Sequence, residues 1–289
     1  EKAGLAKVNP HGRVVFLPGI AGFVGADTTG AMIAAGIESA EDTGLLLDLG
    51  TNGEIVLWSP AGRFACSTAA GPAFEGARIK HGMQAFPGAI DTAKITDDLS
   101  ITTIGKLPAS GICGSGLVDL VSEFLKAGVI HIDGKIANPV ELSNKKLARR
   151  IIQMGRQKEI IVAFAEETQQ CENIVLTQKD IREIQLAKGA IRAGINILLK
   201  VAGLTFHEID RILLAGAFGN YIDKESAKNI GILPDISLAK VVSLGNAAGE
   251  GAKIALCDRQ ALTATAEALA FGTQHIEIST HPDFQEEFT

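Results

Sequence analysis

Residues 45–57 read Leu45-Leu46-Leu47-Asp48-Leu49-Gly50-Thr51-Asn52-Gly53-Glu54-Ile55-Val56-Leu57. Two apolar runs flank a tight turn that contains Gly and Asn, and this pattern predicts a β-hairpin. A carboxylate, Asp48, stands near the end of the first strand, and a small hydroxyl residue, Thr51, follows in the turn. The backbone N–H groups of such a turn can surround a phosphate group while Asp48 holds a hydrated Mg²⁺, which prefers carboxylate ligands. A purely structural hairpin, in which Asp48 caps its own turn, is the alternative that the sequence leaves open.

The rest of the chain alternates between strand-like and helix-like segments. Short apolar runs predict strands at 14–17, 45–49, 54–58, 160–164, 211–215 and 241–244. Apolar residues at helical spacing predict helices at 28–40, 116–126, 178–201, 246–256 and 261–271. Strands that alternate with helices indicate an α/β fold. A basic segment near 145–158 is interpreted as a solvated helix without an assigned function.

Composition excludes several classes of protein. The 289 residues are 46% hydrophobic and 21% charged, which is typical of a globular chain with a substantial core. A formal charge of −6 argues against binding nucleic acid through overall basicity. No apolar run reaches the roughly 18 residues that a membrane span needs. The four cysteines are scattered without metal-ligand spacing, so we expect separate thiols in a reducing, cytoplasmic compartment.

Three further glycine-rich segments follow predicted strands or precede predicted helices. They are Gly111-Ile112-Cys113-Gly114-Ser115-Gly116, Leu214-Ala215-Gly216-Ala217-Phe218-Gly219-Asn220 and Gly245-Asn246-Ala247-Ala248-Gly249. The first segment leads into a helix, whose N-terminus attracts anions, so it is either a second phosphate contact or a close-packed turn capped by Ser115. The other two would let a base or a ribose approach the backbone, because their side chains are small. Neither a P-loop nor a G-x-G-x-x-G motif is present, so any nucleotide site is of another kind.

The predicted helix from residue 178 begins with Thr177 and Asp180 in the spacing of a capping box. Lys188 falls on its apolar stripe and must therefore extend to solvent, form an ion pair or reach a ligand phosphate. Arg182 and Gln185 lie on another side of the helix, which faces either a cleft or water.

Taken together, five segments resemble one family, the C-terminal ATPase domain of the reductive activators of corrinoid proteins. These segments are 48–54, 66–76, 111–116, 178–188 and 214–220, and residues 18–27 and 245–249 also fit. The resemblance implies the actin-like ATPase fold (ASKHA, RNase H-like), an α/β fold with mixed sheets flanked by helices. It extends over nearly the whole chain.

The resemblance also implies a site that binds ATP and Mg²⁺. Residues 48–54 resemble the phosphate hairpin, and Gly216, Ala217, Phe218, Gly219 and Asn220 resemble the adenosine-side corner. A helix before the adenosine strand lines the nucleotide in such folds, which gives Arg182, Gln185 and Lys188 a purpose. Glu54 or Glu75 orients the attacking water, and we favour Glu54. Gly114, Ser115, Gly116, Gly245 and Asn246 complete the expected contacts.

The same resemblance implies the organisation and activity of a whole activator. We expect residues 1–289 to form its C-terminal domain, without the upstream [2Fe–2S] ferredoxin domain and middle region that the family normally carries. The implied activity is ATP-dependent reduction of a cobalt(II) corrinoid protein to cobalt(I), which restores a methyltransferase system, and the family suggests a homodimer. A sugar or acyl kinase on this fold and a non-enzymatic dimeric docking scaffold remain the alternatives.

Overall fold

The computed structural model describes residues 14–258 and 261–288. Its strands are β1 Gly44–Leu49, β2 Gly53–Ser59, β3 Gly62–Thr68, β4 Ala89–Ile95, β5 Leu99–Thr103, β6 Gly111–Ile112, β7 Ile151–Met154, β8 Gln157–Ala163, β9 Ile174–Thr177, β10 Arg211–Ala215, β11 Val241–Gly245 and β12 Thr273–His275. Its α-helices are α1 Ala26–Ala34, α2 Gly114–Lys126, α3 Lys145–Ala148, α4 Gln178–Ala202, α5 Gly216–Tyr221, α6 Lys224–Asn229, α7 Ala247–Cys257, α8 Ala266–Phe271 and α9 Phe284–Phe288.

The centre of the fold is a six-stranded mixed sheet in the order β11-β10-β1-β2-β3-β12. The predicted hairpin is confirmed, because β1 and β2 pair antiparallel and Asp48 lies opposite Glu54. On its other side β1 pairs in parallel with β10, which pairs in parallel with β11. The carboxyl ends of β1, β10 and β11 therefore meet at one edge of the sheet.

Each face of this sheet packs against helices, because alternate side chains of a strand point to opposite faces. Leu45, Leu47 and Leu49 join one buried cluster with residues of α2 and α4. Leu46, Val56 and Trp58 join a second cluster with residues of α1, α7 and α8. The predicted α/β fold with mixed sheets flanked by helices is confirmed.

Residues between β3 and α4 add a second layer. It contains two three-stranded sheets, in the orders β5-β4-β6 and β7-β8-β9, together with α2 and α3. Arg150 ties this layer together, since its buried guanidinium donates to Asp98 at 2.6 Å and to backbone carbonyls of β8. α2 packs on β4, and its apolar residues share a buried cluster with the leucines of β1, so it connects the second layer to the central sheet.

Several predictions from the sequence are wrong in detail. Residues 14–17 form no strand, and their valines and phenylalanine are exposed. The helix predicted at 28–40 begins at Ala26, ends at Ala34 and is followed by a 3₁₀ turn, since Gly36 adopts a φ of 65°. The basic segment forms the short helix α3 and the β7-β8 hairpin instead of one solvated helix. Within the described residues, no helix has the length and apolar character to span a membrane.

Candidate nucleotide site

The turn between β1 and β2 lies next to the Asp48 carboxylate at the end of β1. The Gly50 amide donates to the Asn52 carbonyl at 3.0 Å, which closes the turn. Within the described part of the chain, the amides of Thr51 and Asn52 donate no hydrogen bond, and the Asp48 carboxylate accepts none. The interpretation in which Asp48 caps its own turn therefore has no support. The arrangement suits a phosphate group and a cation.

Asp48 and Glu54 form an acidic pair across the hairpin. Burial, followed by the nearby charge of Asp27, raises the pKa of Asp48 above its ordinary value. Burial also raises the pKa of Glu54, although Ser67 donates to its carboxylate at 3.1 Å and opposes the shift. A bound cation would lower both pKa values, because it stabilises the charged form of each carboxyl group.

The corner that follows β10 approaches the same carboxylate. Gly216 has a φ of 83°, and a Cβ placed on it would lie 2.6 Å from Oδ1 of Asp48. Any side chain at this position would therefore displace Asp48. Phe218 follows in α5 and is half-buried, whereas Gly219 packs more loosely over Leu214. The backbones of Ala217 and Asn220 belong to α5, but their side chains lie outside the described part of the structure.

The N-terminus of α2 lies close to this corner but differs from expectation. A Cβ on Gly114 would lie 1.9 Å from the Phe74 carbonyl oxygen, and one on Gly116 would lie 2.1 Å from the Ile90 carbonyl oxygen. Both glycines are thus required by close packing. The prediction that Ser115 caps the helix is wrong, because Cys113 is the N-cap residue and Ser115 lies inside the first turn. Its hydroxyl remains at the surface of a cavity.

That cavity has a volume of about 330 Å³ and is predominantly apolar. Its walls include Phe74, Met83, Ser115, Phe218 and Tyr221. Phe74 and Phe218 stack with ring centroids 4.5 Å apart, so together they form one aromatic wall. Glu75 stands at the side toward residues 50–52, the phosphate turn between β1 and β2, where its carboxylate accepts a hydrogen bond from the Thr51 hydroxyl. The cavity therefore lies beside the phosphate turn, which follows the strand that carries Asp48.

The corner after β11 completes the strand-end arrangement. Gly245 pairs with Ala215 and has a φ of 65°. The Asn246 side chain accepts a hydrogen bond from the Gly249 amide at 3.0 Å and so caps α7. Its side-chain oxygen is therefore already engaged within the chain.

Three residues that the sequence predicted as nucleotide contacts lie away from the strand ends. They are Arg182, Gln185 and Lys188. Gln185 and Lys188 line a separate cavity of about 70 Å³ between α2, α4 and the end of α6. Gln185 donates to the Asp133 carbonyl at 3.2 Å, and Arg182 donates to Gln185 at 3.4 Å. Lys188 is half-buried, and burial, followed by the charge of Arg192, lowers its pKa. No described carboxylate lies within ion-pair distance of its ammonium.

The sequence did not identify Phe74 and Tyr221 as parts of the site. The only available signal was the segment of residues 66–76, which contributed to the family resemblance without an assigned role for Phe74. No group of three or more His, Cys, Asp or Glu side chains in the described residues is arranged to hold a metal ion. A Mg²⁺ ion here would therefore bind Asp48 together with phosphate and water oxygens, which is its usual preference.

The strand order, the hairpin and the glycine corners define an actin-like fold of the ASKHA class. The chain belongs to the family described as the C-terminal domain of RACo, the ASKHA domain, which matches residues 42–289. It is 37% identical over 283 residues to the corrinoid activation enzyme RamQ of Eubacterium limosum, covering 97% of this chain and 47% of that protein.

Two other relatives support this assignment. The [Co(II) methylated amine-specific corrinoid protein] reductase of Methanosarcina barkeri is 26% identical over 94% of this chain and 49% of its own length. A solved structure of a reductive activator for corrinoid, iron-sulfur protein aligns with a TM-score of 0.85 at 37% identity, over 94% of this chain and 43% of that one. The chain thus spans less than half the length of each of these relatives.

Proposed function

We propose that this chain is the C-terminal, ATP-binding domain of a cytoplasmic reductive activator of corrinoid proteins. Such an activator uses ATP to reduce an inactive cobalt(II) corrinoid protein to cobalt(I), which restores a corrinoid-dependent methyltransferase system. Family membership and the names of the relatives support this proposal. The observation that carries it is the half-buried Asp48 carboxylate, which has no partner among the described residues and lies beside two amides that donate no hydrogen bond to them.

Each part of the site has a stated role in this proposal. Asp48 holds Mg²⁺ through its carboxylate and ordered waters, and the amides of Thr51 and Asn52 bind the phosphates. The adenosine moiety lies along Gly216 and Phe218, with the apolar cavity beside Ser115 available to the base. Glu54 orients the attacking water, because it lies directly opposite Asp48 in the β1-β2 pair and their side chains share one face of the sheet. ATP and Mg²⁺ supply the phosphoryl group and its charge neutralisation when they are bound.

We favour Gln185 and Lys188 less as nucleotide contacts. The cavity that they line has no described wall residue in common with the cavity beside Phe74 and Phe218. Arg182 belongs with them through its hydrogen bond to Gln185. Asn246 contributes through its backbone at the β11 corner, while its side chain caps α7.

The energetic demand on such an activator is moderate. For a one-electron couple, about 59 mV corresponds to roughly 1.4 kcal/mol. A differential affinity of about 5.5 kcal/mol inverts a two-state population, and it would shift an apparent potential by roughly 230 mV. We propose that nucleotide state changes the affinity of the activator for its corrinoid protein partner by an amount of this order. A preceding [2Fe–2S] domain supplies the electron, and a homodimer is the assembly that the family suggests.

Calorimetric titration of Mg-ATP tests the proposed site. Wild-type chain is compared with Asp48→Ala and Asp48→Asn, and with Asp235→Asn as a control, because Asp235 is an exposed acid that pairs only with Lys228. We expect both Asp48 variants to weaken binding at least ~100-fold, or roughly 2.7 kcal/mol, and the control to match wild type. The titrations are repeated with the chain joined to the N-terminal half of the Eubacterium limosum relative. Absence of binding in that longer protein would contradict the ATPase proposal and favour a docking scaffold.

A further inference from the structure

Residues 71–76, called here the 71–76 bridge, contact three separate parts of the proposed site. The bridge contains the 3₁₀ turn Pro72–Glu75, and it is bounded by Gly71 and Gly76, whose φ angles are 77° and 80°. Its chain position, directly after β3, brings it between the phosphate turn and the N-terminus of α2.

Two adjacent residues of the bridge make different contacts. The Glu75 carboxylate accepts a hydrogen bond from the Thr51 hydroxyl of the phosphate turn. The Phe74 ring stacks on Phe218 at an interplanar angle of 13°. The Phe74 carbonyl also lies against Gly114 so closely that no side chain fits there. Adjacent residues of one short turn thus contact the phosphate turn, α5 and α2.

The bridge has little internal freedom. The Gly76 amide donates to the Ala73 carbonyl at 3.0 Å, and the Ala77 amide donates to the Pro72 carbonyl at 3.1 Å. Phe74 is 4% exposed, so its ring cannot move without displacing its neighbours. The Glu75 side chain is exposed, but a displacement of its backbone must be accompanied by a movement of Phe74, because the two residues are adjacent and packed interiors have few alternative arrangements.

We propose that the 71–76 bridge transmits the state of the phosphate turn to α5 and to the N-terminus of α2, with Glu75 as the positioning residue. A phosphate group in the turn competes with the Glu75 carboxylate for the single Thr51 hydroxyl proton, and the two anions repel each other. Release of Glu75 then shifts Phe74 against Phe218 and Gly114. This inference depends on the proposed function only for the identity of the ligand, since the contacts exist within the chain itself.

Hydrogen exchange of the 289-residue chain without nucleotide tests the coupling. The variants are Glu75→Ala, Glu75→Gln, and Glu38→Ala as a control at an exposed glutamate without a described partner. We expect Glu75→Ala to speed exchange about tenfold at three nearby amides that donate hydrogen bonds, which are Gly50 in the turn, Leu117 in α2 and Ile222 at the end of α5. Glu75→Gln keeps an acceptor for Thr51 and should restore wild-type rates, as should the control. Exchange within β2 should stay unchanged, which separates local loosening from global unfolding.

A second variant keeps the test decisive. Phe74→Leu removes the stacked ring but leaves Glu75 in place, so we expect faster exchange at the Leu117 and Ile222 amides and normal exchange at the Gly50 amide. Loosening confined to the turn in Glu75→Ala would overturn the inference, and so would failure of Gln to restore the rates. Because these rates are measured without ligand, they remain informative if Mg-ATP fails to bind wild type, a result that would contradict only the proposed function.

Discussion

Two regions of the molecule each contain a half-buried charged side chain without an ion-pair partner in the described structure. One is the strand-end site, formed by Asp48, the phosphate turn and Gly216, and the other is the α4 cavity, which Gln185 and Lys188 line. In the first, burial raises the pKa of Asp48, and in the second, burial lowers the pKa of Lys188. Only Asp48 lies beside free amides and at a place where three strands end. The comparison teaches that an unpaired charge indicates a ligand site only when the surrounding backbone also offers binding groups.

The largest expected effect comes from Gly216→Ala, which acts on the strand-end site alone. The new methyl group would lie within 2.6 Å of the Asp48 carboxylate, at a φ of 83° that disfavours alanine. We expect a loss of about 3 kcal/mol in the free energy of unfolding, from left-handed strain and overpacking together. Mg-ATP binding should fall below detection by calorimetry.

Gly203→Ala is the matched control for this substitution. Gly203 also has a positive φ, of 68°, but nothing lies within 4 Å of a Cβ placed there. Gly203→Ala should lower the free energy of unfolding by the backbone strain alone, about 1 kcal/mol, and should leave Mg-ATP binding unchanged. Equal losses in the two variants would show that contact with Asp48 has no particular importance.

The next effect is a pH dependence at Asp48. Because burial raises its pKa in the folded state, the folded chain binds this proton more tightly than the unfolded chain does. Its contribution to stability is therefore greatest below the ordinary value of 3.8 and falls as pH rises through the raised value. Asp48→Asn should raise the thermal unfolding midpoint by a few degrees at pH 7 in the absence of Mg²⁺, and the gain should vanish near pH 3.8.

Asp235→Asn should change the thermal unfolding midpoint in the opposite direction. Its hydrogen bond to Lys228 lowers the pKa of Asp235, so replacement should slightly lower the midpoint at neutral pH. A midpoint for Asp48→Asn that lies below wild type at pH 7 would mean that Asp48 has a stabilising partner, which would weaken the case for a cation site.

A smaller effect is expected at Lys188. Lys188→Met removes a partly buried ammonium without a carboxylate partner, so the free energy of unfolding should be unchanged or raised by up to about 1 kcal/mol. The gain should shrink as pH approaches the ordinary lysine value of 10.5, because the lowered pKa already lets wild type lose the proton. Lys200→Met on the same helix breaks ion pairs to Asp283 and Glu287 and should not stabilise. If Lys188→Met weakens Mg-ATP binding and Lys200→Met does not, then Lys188 contacts the nucleotide and the two regions belong to one site.

The smallest effect concerns Asn246. Asn246→Ala removes the cap of α7 and should lower stability by about 1 kcal/mol, whereas Asn246→Asp keeps a capping oxygen and should be neutral. Urea unfolding measures both. If Ala weakens Mg-ATP binding as strongly as Asp48→Ala does, then Asn246 contacts the ligand in addition to capping the helix.

The sequence correctly predicted that Asp48, the turn and Gly216 lie at the ends of strands, because the signals for strands and turns are local. Asp48, the turn and Gly216 each follow a recognisable strand, and parallel strands bring their carboxyl ends together whatever lies between them. The position of Lys188 was harder to predict, because a helical stripe gives the buried face but not the neighbour it packs against. Phe74 was missed for a similar reason, since its stacking on Phe218 depends on a long-range approach. The exposed run at 14–17 shows that apolar composition alone does not make a strand.

The central position of β1 also affects how the protein is made. Its edge stays open until β10 exists, and the ion-paired residues Asp42 and Arg211 at the starts of these strands are 169 positions apart. At 5–20 residues per second, a ribosome needs roughly 8–34 s to synthesise that stretch. Through this interval the leucine-rich strand presents unpaired backbone groups, which is a hazard for aggregation. The nascent chain should therefore depend on chaperones or on early pairing of β1 with β2 more than the finished protein does.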